Sequence, residues 1–248
     1  MMRKILNELE VFYSSRAVRF AYLVVPVYVF ALEYLLGFGA KELFVAPGIV
    51  VQGAFGGLFG PVTVLLTGKI WDQDFRRGTI KNIYPMGVNR TKYFGYKFIM
   101  LVIHSIAFSL DFSVFGLCMG VLKGANGKEY SLKSIIETNV CSLLTVFLIS
   151  LCYSLLATVF FVFIKNYRFA LICAALLSFG ECILHLVVLF DIEPILVPYG
   201  FLIKTLVAVE SSNIDLFINL FFQGSIVMIV YIVACTFFSF VFLLRREH

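Results

Sequence analysis

The chain has 248 residues, of which 61% are apolar, 17% aromatic and only 14% charged. A soluble domain has roughly 45–50% apolar and about 25% charged residues, and a disordered chain has few aromatic residues, so both classes are excluded. The mean hydropathy of +0.97 indicates a polytopic membrane protein. The six cysteines fall in apolar stretches without paired spacing, which predicts neither a disulfide framework nor a metal site.

The first 19 residues predict an amphipathic helix. Ile5, Leu9 and Phe12 recur at i, i+4 and i+7, while Lys4 lies elsewhere on the helical wheel. Such a helix is expected to lie along the inner membrane surface, with its basic residues near anionic lipid headgroups. The alternative is a frayed, charged tail.

Six segments are long and apolar enough to cross a hydrocarbon core of about 30 Å, which predicts an all-α membrane protein with six transmembrane helices. The predicted spans are Phe20–Phe38, Ile49–Thr67, Phe98–Leu122, Val140–Ile164, Phe169–Phe190 and Leu216–Leu244. We expect them to form a single transmembrane domain over residues 1–248. An even number of spans places both termini on the same side of the membrane.

The distribution of basic residues predicts which side that is. With both termini in the cytosol, 15 of the 20 lysines and arginines fall in the inner segments. This bias satisfies the positive-inside rule, so both termini are predicted to be cytosolic. The net charge of +5 is explained by this bias. No nucleic-acid partner is predicted, because such a partner requires basic residues gathered on a soluble face.

Two connections are more than simple turns. Residues 68–97, here called the coupling loop, mix acidic, basic and aromatic residues and predict short interfacial helices that present charge to a cytosolic partner. Residues 191–215 contain an apolar run over 195–209 that is too short to cross the membrane. We expect this external segment to be a lid or a re-entrant hairpin, and the alternative is a hydrophobic surface loop.

The second span carries two overlapping G-x-x-x-G pairs, Gly53 with Gly57 and Gly56 with Gly60. Small residues at this spacing allow helix backbones to approach closely. One interpretation is packing against another span of the same chain. The other is a flexible helix, kinked at Pro61, that lines the central cavity of a dimer.

Ionisable residues within the spans need partners or water. His104 and Asp111 share a face of the third span two turns apart, and Glu181 and His185 are i, i+4 neighbours in the fifth. These four residues form either a polar substrate path or proton site, or structural pairs between helices. No catalytic nucleophile motif is found, and no zinc site is predicted because the H-E-x-x-H pattern is absent.

The coupling loop contains the run Asp74, Arg76, Arg77, Gly78, Thr79 and Lys81, followed by Pro85 and Arg90. This run resembles the first cytosolic loop of the ABC type-2 membrane permease family. An acidic residue, a Gly-Thr pair, a proline and basic residues precede the third span, as in that family. The residues that carry the resemblance, and whose contact with an ATPase it implies, are Asp74, Arg76, Arg77, Gly78, Thr79, Lys81 and Arg90. The chain departs from the family pattern at Asp74, which two arginines separate from the Gly-Thr pair.

The resemblance implies a non-enzymatic exporter subunit of the bacterial plasma membrane. It would pair with a second permease copy or a paralogue and with cytosolic ABC ATPase subunits that bind ATP and Mg. The chain itself has no G-x-x-x-x-G-K-[ST] phosphate loop. A Phe-rich chain suits an amphipathic or hydrophobic cargo, such as an antimicrobial or toxin peptide. The alternatives are a proton-coupled carrier that uses Asp111, Glu181 and His185, and a membrane scaffold or sensor.

Overall fold

The computed structural model describes residues 2–23, 45–55, 58–76, 90–122, 132–164, 166–187, 198, 201, 204–205, 208–209 and 214–245. Within these ranges the chain is almost entirely α-helical and contains no strand. The helices are α1 (Met2–Ser14), α2 (Pro47–Phe55), α3 (Phe59–Arg76), α4 (Arg90–Leu122), α5 (Leu132–Phe163), α6 (Tyr167–Val187) and α7 (Ile214–Arg245). The expectation of an all-helical protein is therefore confirmed.

Three of these helices are long and apolar enough to cross a membrane: Thr91–Leu122 in α4, Lys133–Phe163 in α5 and Ile214–Leu243 in α7. They contain the predicted third, fourth and sixth spans. Helices α4 and α5 each begin eight residues before the predicted span, at Arg90 and Leu132. At 1.5 Å per residue a helix of about 33 residues is roughly 50 Å long, so it extends beyond a 30 Å core or tilts within it.

The predicted second span includes residues of both α2 and α3. Helix α2 ends at Phe55 and α3 begins at Phe59, and residues 56–57 between them lie outside the described residues, so the single span over Ile49–Thr67 stays a prediction. Pro61 lies in the first turn of α3, where a helix tolerates proline. Helix α3 then continues to Arg76, nine residues past the predicted end.

Helix α5 lies at the centre of the bundle and packs against α2, α3, α4, α6 and α7. Small polar side chains on α5 provide several of these contacts. Ser142 Oγ accepts a hydrogen bond of 3.1 Å from the backbone N–H of Ile49, which lies in the first turn of α2 and has no partner within its own helix. Asn139 Nδ2 donates to the carbonyl oxygen of Val45 at 3.3 Å. The start of α2 is thus satisfied by α5.

Only small residues fit where the helices approach most closely. A Cβ atom added at Gly116 of α4 would lie 2.6 Å from the carbonyl oxygen of Pro47 in α2. A Cβ atom at Gly60 of α3 would lie 2.9 Å from the Cβ of Ser178 in α6. Of the four glycines predicted to pack helices, Gly60 therefore packs against this same chain. Gly53 lies in α2, and Gly56 and Gly57 fall outside the described residues.

Helix α7 packs mainly on α5. Cys152 Sγ of α5 donates a hydrogen bond of 3.6 Å to the carbonyl oxygen of Met228, a fully buried residue of α7. Its outward side is lined by exposed apolar residues, as expected of a helix in contact with lipid. Phe201, one of the few described residues of the external segment, is buried beside Gly224 of α7. The predicted first span lies outside the described residues after Leu23, as does most of the segment 191–215.

Candidate functional site

Helices α3 and α4 both extend into the coupling loop, residues 68–97. Asp74 and Arg76 lie in the last turn of α3, and Arg90 is the first residue of α4. Arg77, Gly78, Thr79 and Lys81 lie outside the described residues. Residues 68–76 and 90–97 are parts of α3 and α4 and not separate short helices, and residues 77–89 lie outside the described residues.

Within the coupling loop, Lys97 of α4 joins the end of α3 to the start of α4. Its side chain is only 2% exposed. Its Nζ donates a hydrogen bond of 2.9 Å to the carbonyl oxygen of Ile70 in α3. The same atom lies 3.3 Å from Oε2 of Glu8 in α1. A buried ammonium group requires such partners, because isolation from water destabilises an uncompensated charge.

Three aromatic rings enclose the same ammonium group. Lys97 Nζ lies 5.8 Å from the ring centroid of Trp71, 5.9 Å from that of Tyr93 and 5.7 Å from that of Tyr96. Cations at this distance from an aromatic face are attracted by the ring quadrupole, and more strongly where water is excluded. The rings therefore supplement the carboxylate and the carbonyl as partners of Lys97.

Hydrogen bonds connect α3 to α5 and α6 near the same end. Trp71 Nε1 donates to Thr158 Oγ1 of α5 at 3.2 Å, and one turn earlier Thr67 Oγ1 donates to Ser154 Oγ at 3.0 Å. The phenol of Tyr167, the first residue of α6, donates to the carbonyl oxygen of Gly68 at 3.0 Å. The part of α3 that leads into residues 77–89 is thus fixed on several sides.

Helix α1 packs against α4 through its apolar face. Phe12 is buried, and its ring lies edge-on to His104 with centroids 5.4 Å apart. Residues 16–23 are also helical, and Tyr22 O–H and His104 Nδ1 are joined by a hydrogen bond of 2.9 Å. Burial raises the pKa of the neighbouring Tyr13 phenol above its usual value. The amphipathic helix expected to lie along the inner membrane surface thus places Phe12, a residue of its apolar face, against α4.

The predicted pair His104 and Asp111 does not form a direct contact. The His104 ring stacks on Phe108, one turn further along α4, with centroids 5.7 Å apart. His104 Nε2 and Asp111 Oδ2 are both buried and have no hydrogen-bond partner among the described residues. Glu181 and His185 lie one turn apart in α6, which packs against α3 and α5, whereas α4 packs mainly against α2 and α5 and also contacts α1, α3 and α7. The two predicted pairs thus belong to differently packed helices.

Sequence reasoning missed the contacts of Lys97. The sequence places Lys97 at the entry to the third span, but Glu8 and Ile70 are 89 and 27 residues away. One local feature of the sequence could have indicated these contacts. Lys97 follows Tyr93 and Tyr96 and has apolar residues on both sides, which suggests a buried cation that needs a partner. Nothing in the local pattern identifies that partner as Glu8.

The comparison with known families agrees with the coupling-loop resemblance. The family described as "ABC-2 family transporter protein" matches residues 15–181. The match covers more than half of the chain, so the protein belongs to this family, and the predicted resemblance is confirmed. No curated protein matches the chain.

Membership of this family defines the class of protein. The chain is the membrane subunit of an ABC transporter, a multi-pass membrane protein. Subunits of this kind are normally non-catalytic, and a partner ABC ATPase subunit hydrolyses the ATP. The matched region contains α2 to α5 and most of α6, and therefore includes the whole coupling loop.

Proposed function

We propose that this protein is one half of the membrane portion of a bacterial ABC exporter. It spans the plasma membrane six times with both termini in the cytosol, and it pairs with a second copy or a paralogue. Two ATPase subunits, which bind ATP and Mg, drive the transport. The cargo is an amphipathic or hydrophobic compound, plausibly an antimicrobial or toxin peptide, a class to which the Phe-rich composition of the chain is suited.

The observation that carries the proposal is the fixed framework around residues 77–89. Helix α3 ends before this stretch and α4 begins after it. The hydrogen bond from Lys97 of α4 to the carbonyl oxygen of Ile70 in α3 joins the two helices. A push on the stretch would reach α5 and α6 through Trp71 and Tyr167. Closure of the ATPases on ATP would in this way rock one permease half against the other, as in other rigid-body switches.

The residues proposed to contact the ATPase are those that follow the family pattern. They are Asp74, Arg76, Arg77, Gly78, Thr79, Lys81 and Arg90. Charged side chains at such an interface select the partner and orient it, since complementary charges favour the correct encounter.

The experiment that tests this proposal reverses two of these charges. In the double variant Arg77→Glu and Lys81→Glu, ATP hydrolysis is expected to be uncoupled from transport. The reason is that the interface loses its charge complementarity while the helices remain folded. The measurement is ATP consumed per unit of export of a fluorescent amphipathic peptide from inverted vesicles.

The matched control reverses two charges that are predicted to lie on the outer side, Lys128→Glu with Lys133→Glu. This variant should retain the coupling of the unmodified protein. Unchanged export by the Arg77 and Lys81 variant would contradict the assigned role of the coupling loop.

A second candidate function, a proton-coupled carrier, is favoured by one observation. Asp111 Oδ2 is buried without a hydrogen-bond partner among the described residues, as a proton-binding carboxyl could be. Asp111→Asn and Glu181→Gln distinguish the two functions. A carrier should lose the pH dependence of transport in both variants, whereas an ATP-driven exporter should retain most of its ATPase activity.

A further inference from the structure

Two segments near the N-terminus are attached to α4 along a continuous line of contacts. Glu8 meets Lys97, Phe12 meets His104, and Tyr22 meets both His104 and Phe108. These positions on α4 are seven and four residues apart, so they follow one face of the helix. Helix α1 and residues 16–23 are therefore joined to α4 over about three helical turns.

Lys97 differs from the other members of this line because it also contacts α3. Its one ammonium group binds the Glu8 carboxylate and the Ile70 carbonyl oxygen at the same time. Trp71, which follows Ile70, covers the same group with its ring and donates to Thr158 of α5. Three helices, α1, α3 and α4, thus meet at one buried charge, and α5 is one hydrogen bond away.

We propose that Lys97 is a positioning residue that couples α1 to α3 and α4. The three helices then respond together when the ATPase engages residues 77–89. The inference rests on the proposed function and adds a role for the N-terminal helix. Loss of the Glu8 charge removes the ion pair by which α1 is attached to Lys97, which weakens the connection of α1 to α3 and α4. The ion pair is specific because both partners are sheltered, with Lys97 2% and Glu8 26% exposed.

The test uses the permease purified together with a co-expressed ABC ATPase subunit from the same organism and reconstituted in lipid nanodiscs. Glu8→Gln keeps the size of the side chain and removes its charge. We expect this variant to lower the stimulation of ATP hydrolysis by the permease about fivefold, a typical size for a coupling between sites. The KM for ATP should remain unchanged, because the nucleotide binds to the partner.

A purely structural role of the ion pair gives a different result. It would reduce the yield of the complex but leave the ATP turnover of each purified complex at the unmodified level. Turnover by Glu8→Gln equal to that of the unmodified protein would overturn the inference. The matched control is Glu137→Gln, which breaks the exposed Lys133–Glu137 pair of α5 and should change nothing.

Variants of Lys97 itself complete the test. Lys97→Met should lose at least as much stimulation as Glu8→Gln, because it also removes the contacts with Ile70 and the aromatic rings. The two changes together should lose no more than Lys97→Met alone, since the Glu8 contact requires Lys97. Lys97→Arg should retain most of the stimulation, because a guanidinium group can donate to both oxygens and stack on the aromatic rings. A Lys97→Arg variant as inactive as Lys97→Met would contradict the assigned contacts. If Lys97→Met does not assemble, Glu8→Gln and Lys97→Arg still decide.

Failure of this inference can be distinguished from failure of the proposed function. If the unmodified permease stimulates its ATPase and Glu8→Gln does so equally, only the role of Lys97 is wrong. If the unmodified permease neither binds nor stimulates the ATPase, the proposed function and this inference are both overturned.

Discussion

At the scale of single residues, the closest helix contact depends on the missing side chain of Gly116. Its backbone lies against Pro47, and an added Cβ atom would be 2.6 Å from the Pro47 carbonyl oxygen. That oxygen belongs to the backbone, so it cannot rotate away as a side chain can. We predict that Gly116→Ala lowers the free energy of unfolding by about 1–3 kcal/mol, the usual cost of overpacking.

The same helix offers a matched control for Gly116. Nothing lies within 4 Å of a Cβ atom built at Gly95, which is also in α4. Gly95→Ala should be neutral or stabilise the protein by up to about 1 kcal/mol, because alanine favours helix. Thermal unfolding in detergent measures both variants. Equal melting temperatures for the two alanine variants would show that α2 and α4 do not approach as closely as described.

These glycines show what the sequence could and could not predict at this scale. The repeated G-x-x-x-G pattern marked Gly53, Gly56, Gly57 and Gly60, and Gly60 does pack against α6. Gly116 has the same spacing with Gly120, but its importance follows only from the position of Pro47, 69 residues earlier. Local pattern identifies small residues, but it does not identify which of them meets another backbone.

At the scale of helices, polar side chains hold α3 against α5. Thr67 donates to Ser154, and Trp71 donates to Thr158 one turn later. These four side chains are buried, so each would lose its partner in the other helix if the helices separated. Hydrogen bonds between membrane helices contribute about 0.6 kcal/mol on average, which makes them small individually and measurable as a pair.

We predict that Thr67→Val and Ser154→Ala are coupled. In a double-mutant cycle their interaction free energy should be about 0.6 kcal/mol, measured as resistance to unfolding in bicelles. The control pairs Thr67→Val with Thr236→Ala, whose hydroxyl donates within its own helix to Ile232. Additive effects in the Thr67 and Ser154 cycle would contradict the described contact between α3 and α5.

The helices themselves were largely predictable from apolar stretches of sufficient length. Their ends were not, because α3, α4 and α5 continue as helix beyond the apolar residues that mark a span. Polar residues such as Asp72 and Thr91 do not stop a helix once tertiary contacts support it. Hydropathy predicted one span over Ile49–Thr67, but it did not indicate that α2 ends at Phe55 and α3 begins at Phe59.

At the scale of the whole molecule, contacts distant in sequence set the arrangement around the coupling loop. The family resemblance came from a short pattern over residues 74–97, and the family match over residues 15–181 confirmed it. The junction of α1, α3 and α4 at Lys97 was not predictable, because it joins residues that are far apart in the chain. Composition predicts a membrane protein, and only the folded chain shows how its N-terminal helix is attached.

The most direct test of the central claim is co-purification of the tagged protein with a co-expressed ABC ATPase subunit from the same organism, followed by ATP hydrolysis in lipid. We predict a stable complex whose hydrolysis exceeds that of the free ATPase, because a membrane subunit of this family works through such a partner. The Arg77 and Lys81 variant should lack this stimulation. A protein that purifies alone and stimulates no ATPase would contradict the account and favour the proton-coupled carrier.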